Sequence, residues 1–190
     1  MKYLYGLLFF CMPFSDAFAQ DAVETRFTVY YFLGEECKIC QYYTPQMKDY
    51  HKTYASDSLS FVGLFPNKYS SKGGVIEFSE KYQIPFPLKL EFFATKTKLF
   101  DIKITPEVVV YDNEHDKILY KGRIDDSYVR IGKRRSVPTQ FELEDVLQKI
   151  VAGQKVTTAP GPAVGCFITC LLYTSPSPRD RTRSRMPSSA

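Results

Sequence analysis

Two cysteines spaced as Cys37-Lys38-Ile39-Cys40 are the residues of this chain best suited to chemistry. They follow a β-branched and aromatic run and stand where a helix begins. The first sulfur then meets unpaired backbone N–H groups and the positive end of the helix dipole. That setting favours a thiolate by about 0.3–1 kcal/mol at exposed sites and up to ~2 kcal/mol when partly buried. The second sulfur is close enough to stabilise that thiolate and then to attack a mixed disulfide. Two other uses of this spacing are weaker. A zinc site needs a second ligand pair, and His51, His115 and Cys166 do not supply one at a familiar spacing. A purely structural disulfide here would close a very small loop and stabilise little.

The elements that must position the pair can be read from periodicity. Residues 26–33 form an almost uninterrupted apolar run, the pattern of a central strand buried on both faces. Gly34-Glu35-Glu36 turns the chain into a helix over about 37–54. A second short strand is expected over 60–65. Gly73-Gly74 breaks the chain before a helix over about 75–82, and 84–90, with two prolines, reads as a loop or edge strand. A helix is expected over about 91–100, a buried strand over 107–112, a turn at 113–116 and a returning antiparallel strand from 117. The last helix spans about 139–152, with Thr139 as N-cap, Gly153 at C′, and Phe141, Val146, Leu147, Ile150 and Val151 on one side. The order predicts an α/β domain: a βαβ half, a hairpin and a closing helix in three layers.

The segment Phe32 to Cys40, followed by Pro45 inside the helix, resembles the thioredoxin superfamily. Ile104-Thr105-Pro106-Glu107-Val108 resembles that family's second signature, a cis-proline before a buried strand. The resemblance covers about residues 26–168. It implies a thioredoxin-like three-layer sandwich, a mixed sheet flanked by helices, with Cys37 and Cys40 catalytic and Thr105 and Pro106 receiving substrate backbone. The interval from Cys40 to Pro106 exceeds that of plain thioredoxin, so an insertion is expected around 68–99, between the second strand and the cis-proline strand. With the leader described below, the chain is similar to exported redoxin-like and TlpA-like thiol–disulfide oxidoreductases. These imply protein thiol or disulfide substrates, a redox partner protein and no cofactor. Tyr31 stands where thioredoxin has a buried acid, and Glu36 stands where it has Trp. Glu35 and Glu36 oppose a thiolate at Cys37, whereas Lys38 favours it.

Two other readings of such a fold are thiol-dependent peroxidase and copper-binding assembly factor. The peroxidase motif needs Pro and Thr or Ser where this chain has Tyr30 and Gly34. The copper proteins use Cys-x-x-x-Cys and a distant His, for which His115 is the candidate. Cys166 is a candidate third redox thiol, a link to a partner, or a free surface cysteine. Arg123, Asp125 and Asp126 are read as a solvated loop before a binding face, and Lys133-Arg134-Arg135 likewise. His115 is expected to be exposed, and Tyr42, Tyr43 and Phe86 to border the site or pack in the core.

The ends follow different rules. Lys2, the apolar run Tyr3–Met12, Pro13 and Ala17-Phe18-Ala19 read as a signal peptide over 1–19, too short for a membrane span of about 20 residues. Cys11 would leave with it. The expected product is periplasmic or secreted, with peripheral or no membrane contact. Residues 169–190 carry no apolar period and read as a disordered, non-native tail, leaving one domain over 20–168. Of the net charge of +4, three belong to that tail, where Arg179, Arg181, Arg183 and Arg185 outweigh Asp180. The nearly neutral body gives no reason to expect nucleic acid as a partner. Three thiols in the body are too few for a disulfide framework.

Overall fold

A computed structural model describes residues 25–169; the expected signal peptide and nearly all of the expected tail lie outside them. Strand β1 (Phe27–Phe32) runs through the middle of a five-stranded mixed sheet. It pairs in parallel with β2 (Leu59–Phe65) and antiparallel with β5 (Glu107–Asp112). The short edge strand β3 (Leu88–Leu90) adds parallel to β2, and β6 (Lys117–Gly122) returns antiparallel beside β5. Two small ribbons lie outside this sheet. One joins β4 (Ile104–Thr105) to β9 (Cys166–Phe167), the other β7 (Tyr128–Arg130) to β8 (Lys133–Arg134).

The period of two in β1 and β5 divides the core. Val29, Tyr31, Val108 and Val110 face one cluster, which α1 (Lys38–Tyr54), α2 (Lys72–Tyr82) and α4 (Glu142–Val151) cover with Met47, Phe78, Leu143 and Leu147. Phe32, Val109 and Tyr111 face the other, closed by Phe100, Ile102 and Ile168 around the short helix α3 (Thr95–Leu99). Both faces of the central strands are therefore covered, as their unbroken apolar sequence requires. Each large side chain so buried contributes about 1.5–3 kcal/mol.

Three local expectations are corrected. Helix α2 starts at Lys72, before the glycines, because Ser71 Oγ accepts the Gly74 N–H at 3.0 Å and caps the first turn. The helix expected over 91–100 is only α3. The Glu91 carboxylate accepts the N–H of Lys96 and of Thr97, so Glu91 caps the turn instead of joining it, and Phe92 and Phe93 are exposed. Helix α4 begins at Glu142, not Thr139. Thr139 instead donates its N–H and Oγ1–H to Asp126, each at 2.7 Å. Phe141 and Val151 are exposed, and Leu143 takes the buried place. Gly153 stands just past the helix at φ 66°, as a C′ glycine should. The segment between β2 and β4 holds α2, β3 and α3.

Candidate active site

Strand β1 delivers the chain to Gly34, which lies beside Thr105, Asn67 and Cys37. The Cys37 N–H then bonds to Gly34 O (3.2 Å), and Cys37 becomes the N-cap of α1. Its Sγ accepts the Cys40 N–H at 3.4 Å, so a sulfur fills the place that a Ser or Asp oxygen usually fills at a helix start. Across from it, the Thr105–Pro106 peptide bond is cis. The Cys37 thiol donates to Thr105 O at 3.3 Å. The structure thus brings together Cys37, Cys40, Thr105 and Pro106, and adds Cys166, which pairs with Thr105 across the β4–β9 ribbon. All three described cysteines are free thiols.

The electrostatics separate the three sulfurs. Cys37 is 4% exposed and its thiol is lowered from 9.0 to about 5. The leading cause is the hydrogen bond from the Cys40 thiol; burial opposes it, and the Cys40 N–H, the Cys166 thiol and the Thr105 hydroxyl add to it. Cys40 is fully buried and pushed well above 9.0, first by burial and then by its hydrogen bond to Cys37 and the charge there. Cys166 is exposed and is raised to about 11, by burial first and then by Cys37.

The acidic approach to Cys37 is diverted. The Glu35 carboxylate accepts Ser70 Oγ–H (2.6 Å) and the Ser71 N–H (3.3 Å) at the start of α2, while its carbonyl accepts Gln41 Nε2–H (2.7 Å). Lys38 turns to Gln41 Oε1 at 3.2 Å. Tyr31 is buried, with its phenol pushed well up, by burial first and then by Tyr50. Its hydroxyl has no hydrogen-bond partner among the described residues.

Several expectations at the margin are corrected. Asp125 and Asp126 are buried, not solvated. Asp125 Oδ1 accepts the Tyr43 hydroxyl (2.6 Å) and the Ser127 N–H (2.8 Å), and Arg123 pairs with Glu142. Arg123 and Asp125 line a small cavity together with Tyr43 and Pro106. Tyr43 and Phe86 are core, whereas Tyr42 lies at the surface between Tyr128 and the guanidinium of Arg134, 4.8 Å from its ring centre. Lys133, Arg134 and Arg135 are exposed, as expected. His115 is also exposed and pairs with Asp112 (2.9 Å). Asp112 is opposite Phe27, at the far end of β1 from Cys37, about 17 Å away for six strand residues. Near it Glu114 pairs with Arg26 at 3.0 Å. Asn67 was not legible in the sequence as a site residue. It accepts the Thr169 N–H (3.0 Å) and Oγ1–H (2.8 Å) beside the site. A cleft of about 1030 Å³ opens there between Cys37, Cys166, Tyr69 and Tyr82.

No protein-family model matches the sequence, and no curated protein does. Solved structures do match. An uncharacterized conserved protein from Geobacillus kaustophilus is 23% identical, with a TM-score of 0.66 over 75% of this chain and 76% of that one. A hypothetical protein from Sinorhizobium meliloti 1021 is 21% identical, with a TM-score of 0.66 over 77% and 80%. A third, described as a thioredoxin-like protein in the oxidized form, is 16% identical, with a TM-score of 0.50 over 68% and 80%.

Proposed function

On this chain of thioredoxin-like fold, we propose a thiol–disulfide oxidoreductase that exchanges the Cys37–Cys40 dithiol/disulfide couple with protein clients in the cell envelope. The observation that carries the reading is the placement of Cys37 Sγ, 3.4 Å from the Cys40 N–H nitrogen at the helix start and 3.3 Å from Thr105 O. A nucleophile lowered to about 5 beside a thiol held protonated is what the exchange needs. Cys37 attacks the client disulfide, and one client sulfur leaves as a thiolate. Cys40 then attacks Cys37 Sγ, releases the second client thiol and closes the Cys37–Cys40 disulfide. Thr105 and Pro106 form the wall against which a client chain lies. The domain spans about 20–168, and a cleaved leader over 1–19 supports export to the periplasm or beyond. A redox partner protein returns the couple to its starting state.

The test is cycling of the purified protein between dithiol and disulfide in insulin-reduction and refolding assays, with turnover abolished in Cys37→Ser. A protein inert in both assays overturns the reading.

A further inference from the structure

The stretch that carries Cys166 is built across the cysteine pair and held there. Ile104 and Thr105 pair antiparallel with Phe167 and Cys166. A Cβ on Gly165 would lie 1.9 Å from Thr105 O, so only glycine allows this approach. The Ile168 N–H bonds to Lys103 O (3.0 Å), and its side chain, 1% exposed, is anchored in the core. Thr169 bonds twice to Asn67.

Directly opposed residues of an antiparallel pair project to the same side, with Cβ atoms about 4.5–5.5 Å apart. Cys166 therefore shares a side with Thr105, whose carbonyl accepts the Cys37 thiol at 3.3 Å. The Cys166 thiol is among the groups that lower the Cys37 thiol. Of the three thiols Cys166 is the exposed one, whereas Cys37 and Cys40 are buried. Cys37 and Cys166 line the same cleft.

We propose that Cys166 is a third exchange thiol, which attacks Cys37 in its mixed disulfide with a client and closes a Cys37–Cys166 disulfide. The inference rests on the oxidoreductase reading above. Cys37 thiolate first attacks a client disulfide, forming the Cys37–client bond and releasing one client thiolate. Cys166, deprotonated, then attacks Cys37 Sγ; the Cys37–Cys166 bond forms, the Cys37–client bond breaks, and the second client thiolate leaves. The client disulfide gains two electrons and Cys37 and Cys166 lose two; the Cys166 proton passes to one client thiolate, and the other takes a proton from solvent. Cys40 can afterwards displace Cys166 and regenerate its thiol. Cys166 competes with Cys40 for the client-releasing step from the exposed side, whereas Cys40 is wholly buried. Moreover, the hydrogen bond and charge of Cys37 that raise the Cys166 thiol vanish once Cys37 is in a disulfide.

The experiment treats the reduced full chain, with Cys11→Ser and Cys170→Ser, with oxidised glutathione and maps tryptic peptides by mass spectrometry. Cleavage after Lys38 separates Cys37 from Cys40, so each linkage gives its own peptide pair. With Cys40→Ser added, the linked Cys37–Cys166 peptides should exceed the glutathione adduct on the order of ten-fold or more, because the second thiol acts intramolecularly. With Cys40→Ser and Cys166→Ser together, the protein should stop as a glutathione adduct of Cys37. A Cys40→Ser protein that stops at that adduct with Cys166 free overturns the proposal, while Cys37–Cys40 linkage in the protein retaining Cys40 leaves the oxidoreductase reading standing. If no variant acquires a disulfide at Cys37, both fall.

Discussion

The low Cys37 thiol predicts how the reduction potential of the couple changes with pH. Below about pH 5, reducing the Cys37–Cys40 disulfide takes up two protons, and the potential falls by about 59 mV per pH unit. Above it Cys37 stays a thiolate while Cys40 stays protonated, so one proton is taken up and the slope halves to about 30 mV per pH unit. Two unperturbed thiols near 9.0 would keep the steeper slope almost to pH 9. The assay is equilibration against a glutathione or dithiothreitol buffer at several pH values from 4 to 9, with the break in slope expected near 5. Alkylation rate at pH 7 alone is a poor substitute. A thiol lowered from 9.0 to about 5 gains about 100-fold in thiolate fraction, but with a Brønsted coefficient of about 0.4–0.5 its sulfur loses roughly 40–100-fold in nucleophilicity. Because the Cys40 thiol is the leading cause, Cys40→Ala should move the Cys37 midpoint, followed by thiolate ultraviolet absorbance, upward. A slope near 60 mV per pH unit persisting from pH 6 to 8 refutes the reasoning, as does a midpoint indifferent to Cys40.

Three further outcomes follow from packing and charge. Gly165→Ala places a methyl against Thr105 O, backbone that cannot swing aside, and should cost about 1–3 kcal/mol in urea unfolding; an unchanged midpoint would mean that β9 does not dock as described. Tyr43→Phe removes one of the two donors to buried Asp125 Oδ1, and denaturant titration should show a loss of about 1–3 kcal/mol with the fold intact by circular dichroism. The Asp126 carboxyl is held near 2, since hydrogen bonds from Thr139 and Gln140 and the charge of Arg135 outweigh the burial that would raise it. Its stabilisation is therefore present above 3.8 and lost as pH falls toward 2. Asp126→Asn should be less stable at neutral pH and should show a shallower loss between pH 4 and 2 in acid titrations followed by circular dichroism.

The legible parts of this molecule are those whose signals are local. Buried strands announce themselves by unbroken apolar runs, and β1 and β5 stand where residues 26–33 and 107–112 put them. The cysteine pair at a helix start needs only its neighbours, and the loop that faces it was legible through resemblance. What failed depended on partners distant along the chain. Asp125 and Asp126 read as solvated because charge usually is, and only the fold brings Tyr43 and Thr139 to them. Thr139 looked like a cap because its own helix is near, yet Asp126 takes its hydrogen bonds. Cys166 belongs to a two-residue strand, too short for any period, and its opposition to Thr105 exists only across the β4–β9 ribbon.

Glu35 shows the same limit at the site itself. In sequence Glu35 and Glu36 both count against a thiolate at Cys37. In the fold the Glu35 carboxylate is drawn to Ser70 and Ser71 at the start of α2. The leading groups that lower Cys37 are the Cys40 thiol and N–H, Cys166 and Thr105. The loop before α2 thus holds the nearest carboxylate through Ser70 and Ser71, while the Cys37 sulfur meets the Cys40 N–H and Thr105 O.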